Sequence, residues 1–205
     1  MTQALAALGL GLALAGAPGP VQVILFAETT RGGIARGMQV VLGANLTFAV
    51  LLTALALGLS VVAPTGVALR ILKLTGAAFL IWIAWDNFRT IRRASPTALD
   101  QPHRTLPPSL RGVMAVIFNP GGWIFLATVA SSLLSTAVHD SGRAVALVVA
   151  ALLVLGILAG DAAVVLLAGF GIRRLGERPS FWIQAALNLI LVAVALWLLA
   201  TAVSG

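Results

Sequence analysis

The sequence predicts an all-α integral membrane protein with six transmembrane helices arranged as two inverted three-helix repeats, the first and fourth helices being broken. Three observations predict it. Hydrophobic residues make up 60% of the 205-residue chain and charged residues only 9%, too apolar a balance for a water-soluble globule. The apolar residues fall into stretches of roughly 20 or more, the length that crosses a bilayer. Proline and glycine interrupt two of these stretches at matching places, Ala17-Pro18-Gly19-Pro20 and Asn119-Pro120-Gly121-Gly122.

The first span runs from about Thr2 to Ala27 and carries no charge. It is read as a retained span and not a cleaved signal, because no Lys or Arg precedes it. The second lies within Gly37 to Ala63, ending before Pro64, and the third covers about Val67 to Phe88, with Arg70 and Lys73 in its first turns able to snorkel to the interface. The fourth occupies about Gly112 to Leu134, the fifth Arg143 to Phe170 and the sixth Ser180 to Val203. Trp82, Trp85, Trp123, Trp182 and Trp197 fall mostly near span ends, as interfacial anchors do. A count of five follows if the broken first segment does not cross; its length before Glu28 favours six.

Residues 91–110 form the one long connection, rich in proline, and divide the membrane domain into a first repeat over 1–90 and a second over 111–205. Two consecutive repeats with an odd number of spans insert with opposite orientation. Pro18-Gly19-Pro20 answers to Pro120-Gly121-Gly122, and Gly43-Ala44-Asn45 to Ala159-Gly160-Asp161.

Thirteen Lys and Arg against six acidic residues give a formal charge of +7, which in a soluble protein would point to nucleic acid. Here ten of the thirteen lie in connections one, three and five. The positive-inside bias therefore sets those connections in the cytoplasm and both termini on the outer face. With no cysteine, a disulfide framework, thiolate metal ligands and dithiol redox chemistry are excluded for this chain.

Asp161 is the one carboxylate expected deep in a span, with seventeen uncharged residues before it back to Arg143 and eleven after it to Arg173. An ionised carboxylate there costs about 2.5–3.5 kcal/mol on insertion scales, so it pairs, faces water or titrates. It reads as a proton or substrate-ammonium site, the alternative being a structural hydrogen bond to a neighbouring helix. Asn45 can bind a polar solute or bridge helices. Gln22 and Asn119 sit beside the breaks, where they can cap freed backbone groups or touch solute. A half-helix restarting after each break would aim unpaired amides at a solute carboxylate, whereas an ordinary proline kink would bind nothing. Arg31-Gly32-Gly33 lacks the Gly-Lys-Ser/Thr of a phosphate-binding loop and reads as an inner-face turn with lipid-facing arginines. Glu28 can serve as a cytoplasmic gate partner to an arginine. Asp86 reads as an interfacial salt bridge or cap. His103 and His139 are isolated, so neither a metal site nor another cofactor is expected, and no nucleophile sits with a base.

Gly16-Ala17-Pro18-Gly19-Pro20, Arg31-Gly32-Gly33-Ile34-Ala35-Arg36-Gly37, Leu72 to Trp82, Phe118-Asn119-Pro120 and Asp161, in this order, resemble the LysE family of amino-acid exporters, which includes homoserine and threonine exporters. The resemblance covers nearly the whole chain. It implies a bacterial cytoplasmic-membrane carrier that expels amino acids or related metabolites, driven by the proton-motive force and working as a homodimer. By position it implies a pocket built by the broken helices, with Asp161 as the acidic residue of the fifth span. Asn45 departs from it, because many members carry an acidic residue there, and Asn188 stands where glycine is more typical.

The sequence thus reads as a secondary transporter, not an enzyme, exporting small amphoteric metabolites by alternating access. Substrate-binding residues are Pro18, Gly19, Pro20, Gln22, Asn45, Asn119, Pro120, Gly121 and Asp161, and Asp161 couples the proton. Its partners are a small-molecule substrate and membrane lipid, not nucleic acid. An ion or metal efflux protein and a non-transporting accessory subunit are the competing readings.

Overall fold

The computed structural model describes residues 2–17, 19–59, 64–93, 106–173 and 177–203, and these are helical with no strand among them. The helices are α1 (Thr2–Gly16), α2 (Pro20–Ala56), α3 (Gly66–Arg93), α4 (Pro108–Ile117), α5 (Pro120–Phe125), α6 (Ser131–Ser141), α7 (Arg143–Arg173) and α8 (Glu177–Val203). A π-helical turn over Leu126–Ala130 joins α5 to α6. Among the described residues five helical stretches are long and apolar enough to cross a membrane, and α1 and α4 are shorter apolar helices.

Both breaks arise from proline. A residue before proline avoids the helical region, and proline has no N–H for the carbonyl four residues back. Gly19, before Pro20, is fully extended (φ −163°, ψ 178°), and Asn119, before Pro120, is also extended (φ −95°, ψ 103°). Each proline then opens the next helix, where a missing N–H costs nothing. The restarts fall at Pro20 and Pro120, whereas the match read from the sequence set Pro18 against Pro120.

A third interruption lies inside α2. Gly32 and Gly33 leave helical geometry, Gly33 with φ +76°, a region that only glycine enters at little cost. Up to this turn α2 runs along α7 in the direction set by α1: Leu8 and Gly11 meet Gly156, Ala15 meets Gly160 and Thr29 meets Gly169. Beyond it the chain returns, Gly37 lying on Val165 and Asn45 beside Asp161.

The tightest packing joins a short helix to a long one twice over. A β-carbon on Gly11 would overlap the Leu153 carbonyl and crowd the Ile157 amide, and one on Gly156 would overlap the Leu8 carbonyl. On the other side of the molecule a β-carbon on Gly112 would overlap the Val40 carbonyl and crowd the Ala44 amide, and one on Gly43 would overlap the Ser109 carbonyl. Small residues let backbones approach this closely, which is how helices associate where lipid removes the hydrophobic drive. α3 and α8 pair antiparallel, with Lys73 donating to the Thr201 carbonyl at one end and Asn188 to the Ala84 carbonyl at the other, both at 3.0 Å.

Candidate functional site

The carbonyls freed at the breaks are met by side chains from the helix that follows. Gln22, in the first turn of α2, donates to the Ala15 carbonyl at the end of α1. Trp123, in α5, donates its indole N–H to the Ile117 carbonyl at the end of α4, at 2.7 Å. Trp123 therefore closes a helix end and is not simply an interfacial anchor. The Asn119 side chain accepts from the Gly121 amide at 3.1 Å, so this amide is already occupied.

The Gln22 amide nitrogen also donates to Asp161 Oδ1 at 3.0 Å, and Asn45 donates to Asp161 Oδ2 at 3.0 Å. Each carboxylate oxygen thus receives one side-chain N–H. A carboxylate has about four acceptor positions, so lone pairs are left for a solute. Asn45 Oδ1 is buried and has no hydrogen-bond partner among the described residues.

Asp161 lies in the wall of a cavity of about 660 Å³ where the two breaks meet. That volume falls within the roughly 300–1,000 Å³ of small-molecule sites. Of the residues singled out in the sequence, Gly19, Pro20, Gln22, Asn119, Pro120, Gly121 and Asp161 line it, as does Gly122. Pro18 lies outside the described residues. Asn45 holds Asp161 without lining the cavity. Sequence reasoning missed Lys73, Phe48 and Trp197, which line the cavity; their span positions look like those of any lipid-facing neighbour.

A second cluster closes one end of the bundle. Glu28 accepts from Arg111 at 2.6 Å, from Arg31 at 3.3 Å and from Arg36, while Arg111 also reaches Asp86, and Arg31 reaches Asp86 at 3.3 Å and Asn87 at 2.6 Å. The Arg111 guanidinium stands 5.4 Å from the centre of the Trp82 ring, within cation–π range. Arg31 is therefore not lipid-facing, because the turn at Gly32-Gly33 leaves its side chain pointing into the bundle, 10% exposed. Asp86 makes the salt bridge expected of it. Arg111 looked like one more loop charge, yet its side chain is fully buried. Asn188 packs α8 on α3 and does not line the cavity. His139 is exposed beside Asp140, and His103 lies outside the described residues.

A family model described as LysE type translocator matches residues 12–202. The chain belongs to that family. The LysE-type chain is accordingly a multi-pass membrane protein of a transporter family, not an enzyme family, and its function is membrane transport of amino acids or related compounds. Comparison with curated proteins and with solved structures gives no match. In this translocator part of what carried the resemblance converges: Gly19-Pro20, Asn119-Pro120 and Asp161 border one cavity, although they come from α2, α5 and α7 and the residues preceding them, while Arg31 and Arg36 pair with Glu28 away from it.

Proposed function

We propose that the chain exports amino acids or similar small amphoteric metabolites across the bacterial cytoplasmic membrane, by alternating access about the cavity and with proton coupling through Asp161. The observation that carries this reading is the position of Asp161, 1% exposed, in the wall of a cavity bordered by both helix breaks. Asp161 takes the solute ammonium group and exchanges it for a proton. The first-turn amides of α2 take part in holding the carboxylate.

Six crossings underlie this cycle. α1 and the first limb of α2 make one broken span along α7, and the second limb makes the return. α4 with α5 and α6 make the broken fourth. Support for two inverted repeats comes from the doubled glycine packing: Leu8 and Gly11 answer to Ser109 and Gly112, while Leu153, Gly156 and Ile157 answer to Val40, Gly43 and Ala44, with one constant offset for each pair of helices. In this register the counterpart of Asp161 is Phe48 and that of Asn45 is Leu158, a shift of three from the sequence match. The repeats thus put a carboxylate and a phenyl ring in equivalent places, and both line the cavity.

With both termini on the outer face, the Glu28–Arg111–Asp86 cluster lies at the cytoplasmic end and the cavity on its outer side. The structure then corresponds to a state closed to the cytoplasm. The homodimer implied by the resemblance belongs to the same reading.

The test compares bacteria overproducing wild type or Asp161→Ala at equal membrane levels, with metabolites in the medium measured by mass spectrometry. A small set of amino acids enriched only with the wild type is expected. Equal media would overturn the reading and return weight to ion efflux or an accessory subunit.

A further inference from the structure

Among the described residues the polar side chains in the cavity wall are few: Gln22, Asn119, Asp161 and Lys73, the last of these the one cation. Gln22 is committed to Ala15 and Asp161, and Asn119 to the Gly121 amide. Lys73 sits in α3, and its ammonium donates to the Thr201 carbonyl at 3.0 Å. An ammonium carries three donors, and among the described residues no carboxylate lies within ion-pair reach of this one. A cation in a membrane span is costly unless it meets water or an anion. The rest of the wall is largely apolar, with Leu14, Val21, Phe48, Ile157 and Trp197 among it.

We infer that Lys73 is the carboxylate-binding and specificity-determining residue of the cavity, which selects zwitterions bearing a neutral apolar side chain. This inference rests on the transport reading above and deepens it. Asp161 in α7 takes the ammonium group, Lys73 in α3 the carboxylate, and the apolar wall the side chain. A solute lacking the carboxylate leaves Lys73 without its anion, and one with a second charge meets no partner in the wall. The competing role for Lys73 is purely structural: Thr201 lies in the last turn of α8, where carbonyls lack helical partners, and a lysine commonly closes such an end.

Transport of L-leucine and of L-leucinamide by wild-type, Lys73→Met and Lys73→Arg protein in proteoliposomes separates the two roles. The wild type is expected to move leucine at least tenfold faster than leucinamide. Lys73→Met should bring leucine down to the leucinamide rate and leave leucinamide unchanged, while Lys73→Arg restores most of the difference. A Lys73→Met protein that slows both compounds by the same factor, or neither, overturns the assignment, as does a wild type that fails to prefer leucine. None of these outcomes touches the metabolite comparison with Asp161→Ala, which decides separately whether amino acids are exported at all.

Discussion

Arg111 and Glu28 form an ion pair at 2.6 Å in which neither side chain reaches solvent. The pair ties α4 to the first limb of α2, and Asp86 extends it to α3. Removing one partner of a buried pair leaves an uncompensated charge and costs about 3–5 kcal/mol. Arg111→Ala is therefore expected to lower thermal stability in detergent far more than Arg70→Ala, whose side chain is exposed. Equal unfolding temperatures for the two would show that the pair does not hold the helices.

Glu28 meets three guanidinium groups at once, so Glu28→Gln should weaken closure at this end of the bundle. The chain has no cysteine, and a single one at Ala17, exposed in the cavity wall, reports access without background. A membrane-impermeant thiol reagent should label Ala17→Cys from the outer face only. After Glu28→Gln, labelling from the cytoplasmic face should rise several-fold; unchanged sidedness would remove the cluster from the gate.

The two glycine contacts predict a matched pair of steric effects. Gly11→Val and Gly112→Val each drive a side chain into backbone and should destabilise by about 1–3 kcal/mol, the usual range for overpacking. Gly9→Ala, with open space around its Cα, should be neutral or slightly stabilising. Thermal melts of the three purified variants check the contrast, and a Gly9→Ala loss equal to the other two would contradict it.

Asn45 and Asn188 predict opposite outcomes. Asn45→Leu removes one of the two side-chain donors to a buried carboxylate, at about 1–3 kcal/mol, and should cut amino-acid release together with stability. Asn188→Leu removes one bond to a helix carbonyl and also a buried oxygen that has no partner among the described residues, so its net cost should stay under about 1 kcal/mol with export unchanged. Stability and metabolite release measured on both proteins test this, and a transport loss in Asn188→Leu would place that residue in the solute path.

The broken helices were legible because proline acts locally: without an N–H, and with the preceding residue pushed to extended geometry, Pro20 and Pro120 interrupt a helix in any surroundings. Asp161 was legible because a lone carboxylate among aliphatic residues is conspicuous. Arg111 was not, since a residue at the end of an apolar run looks the same whether it faces lipid headgroups or a buried Glu28. The register proposed above for the repeats was hidden for a related reason. Matching Asn45 to Asp161 followed residue chemistry, whereas the backbone contacts of Gly43 and Gly156 follow spacing, and the two differ by about one helical turn. Lys73 was read by its distance from the span end, and nothing in a one-dimensional string says that α3 turns that face to α8 and the cavity.

The doubled glycine packing also dictates an order of events during synthesis. α1 leaves the ribosome before α7, the helix whose surface its Gly11 fits, and the second limb of α2 waits in the same way for α4. Each half of the chain thus completes the other, like two hands with fingers interlocked. A nascent chain stopped before Arg143 would hold α1 with its small-residue face unmatched, open to wrong partners and to quality-control proteases until α7 arrives.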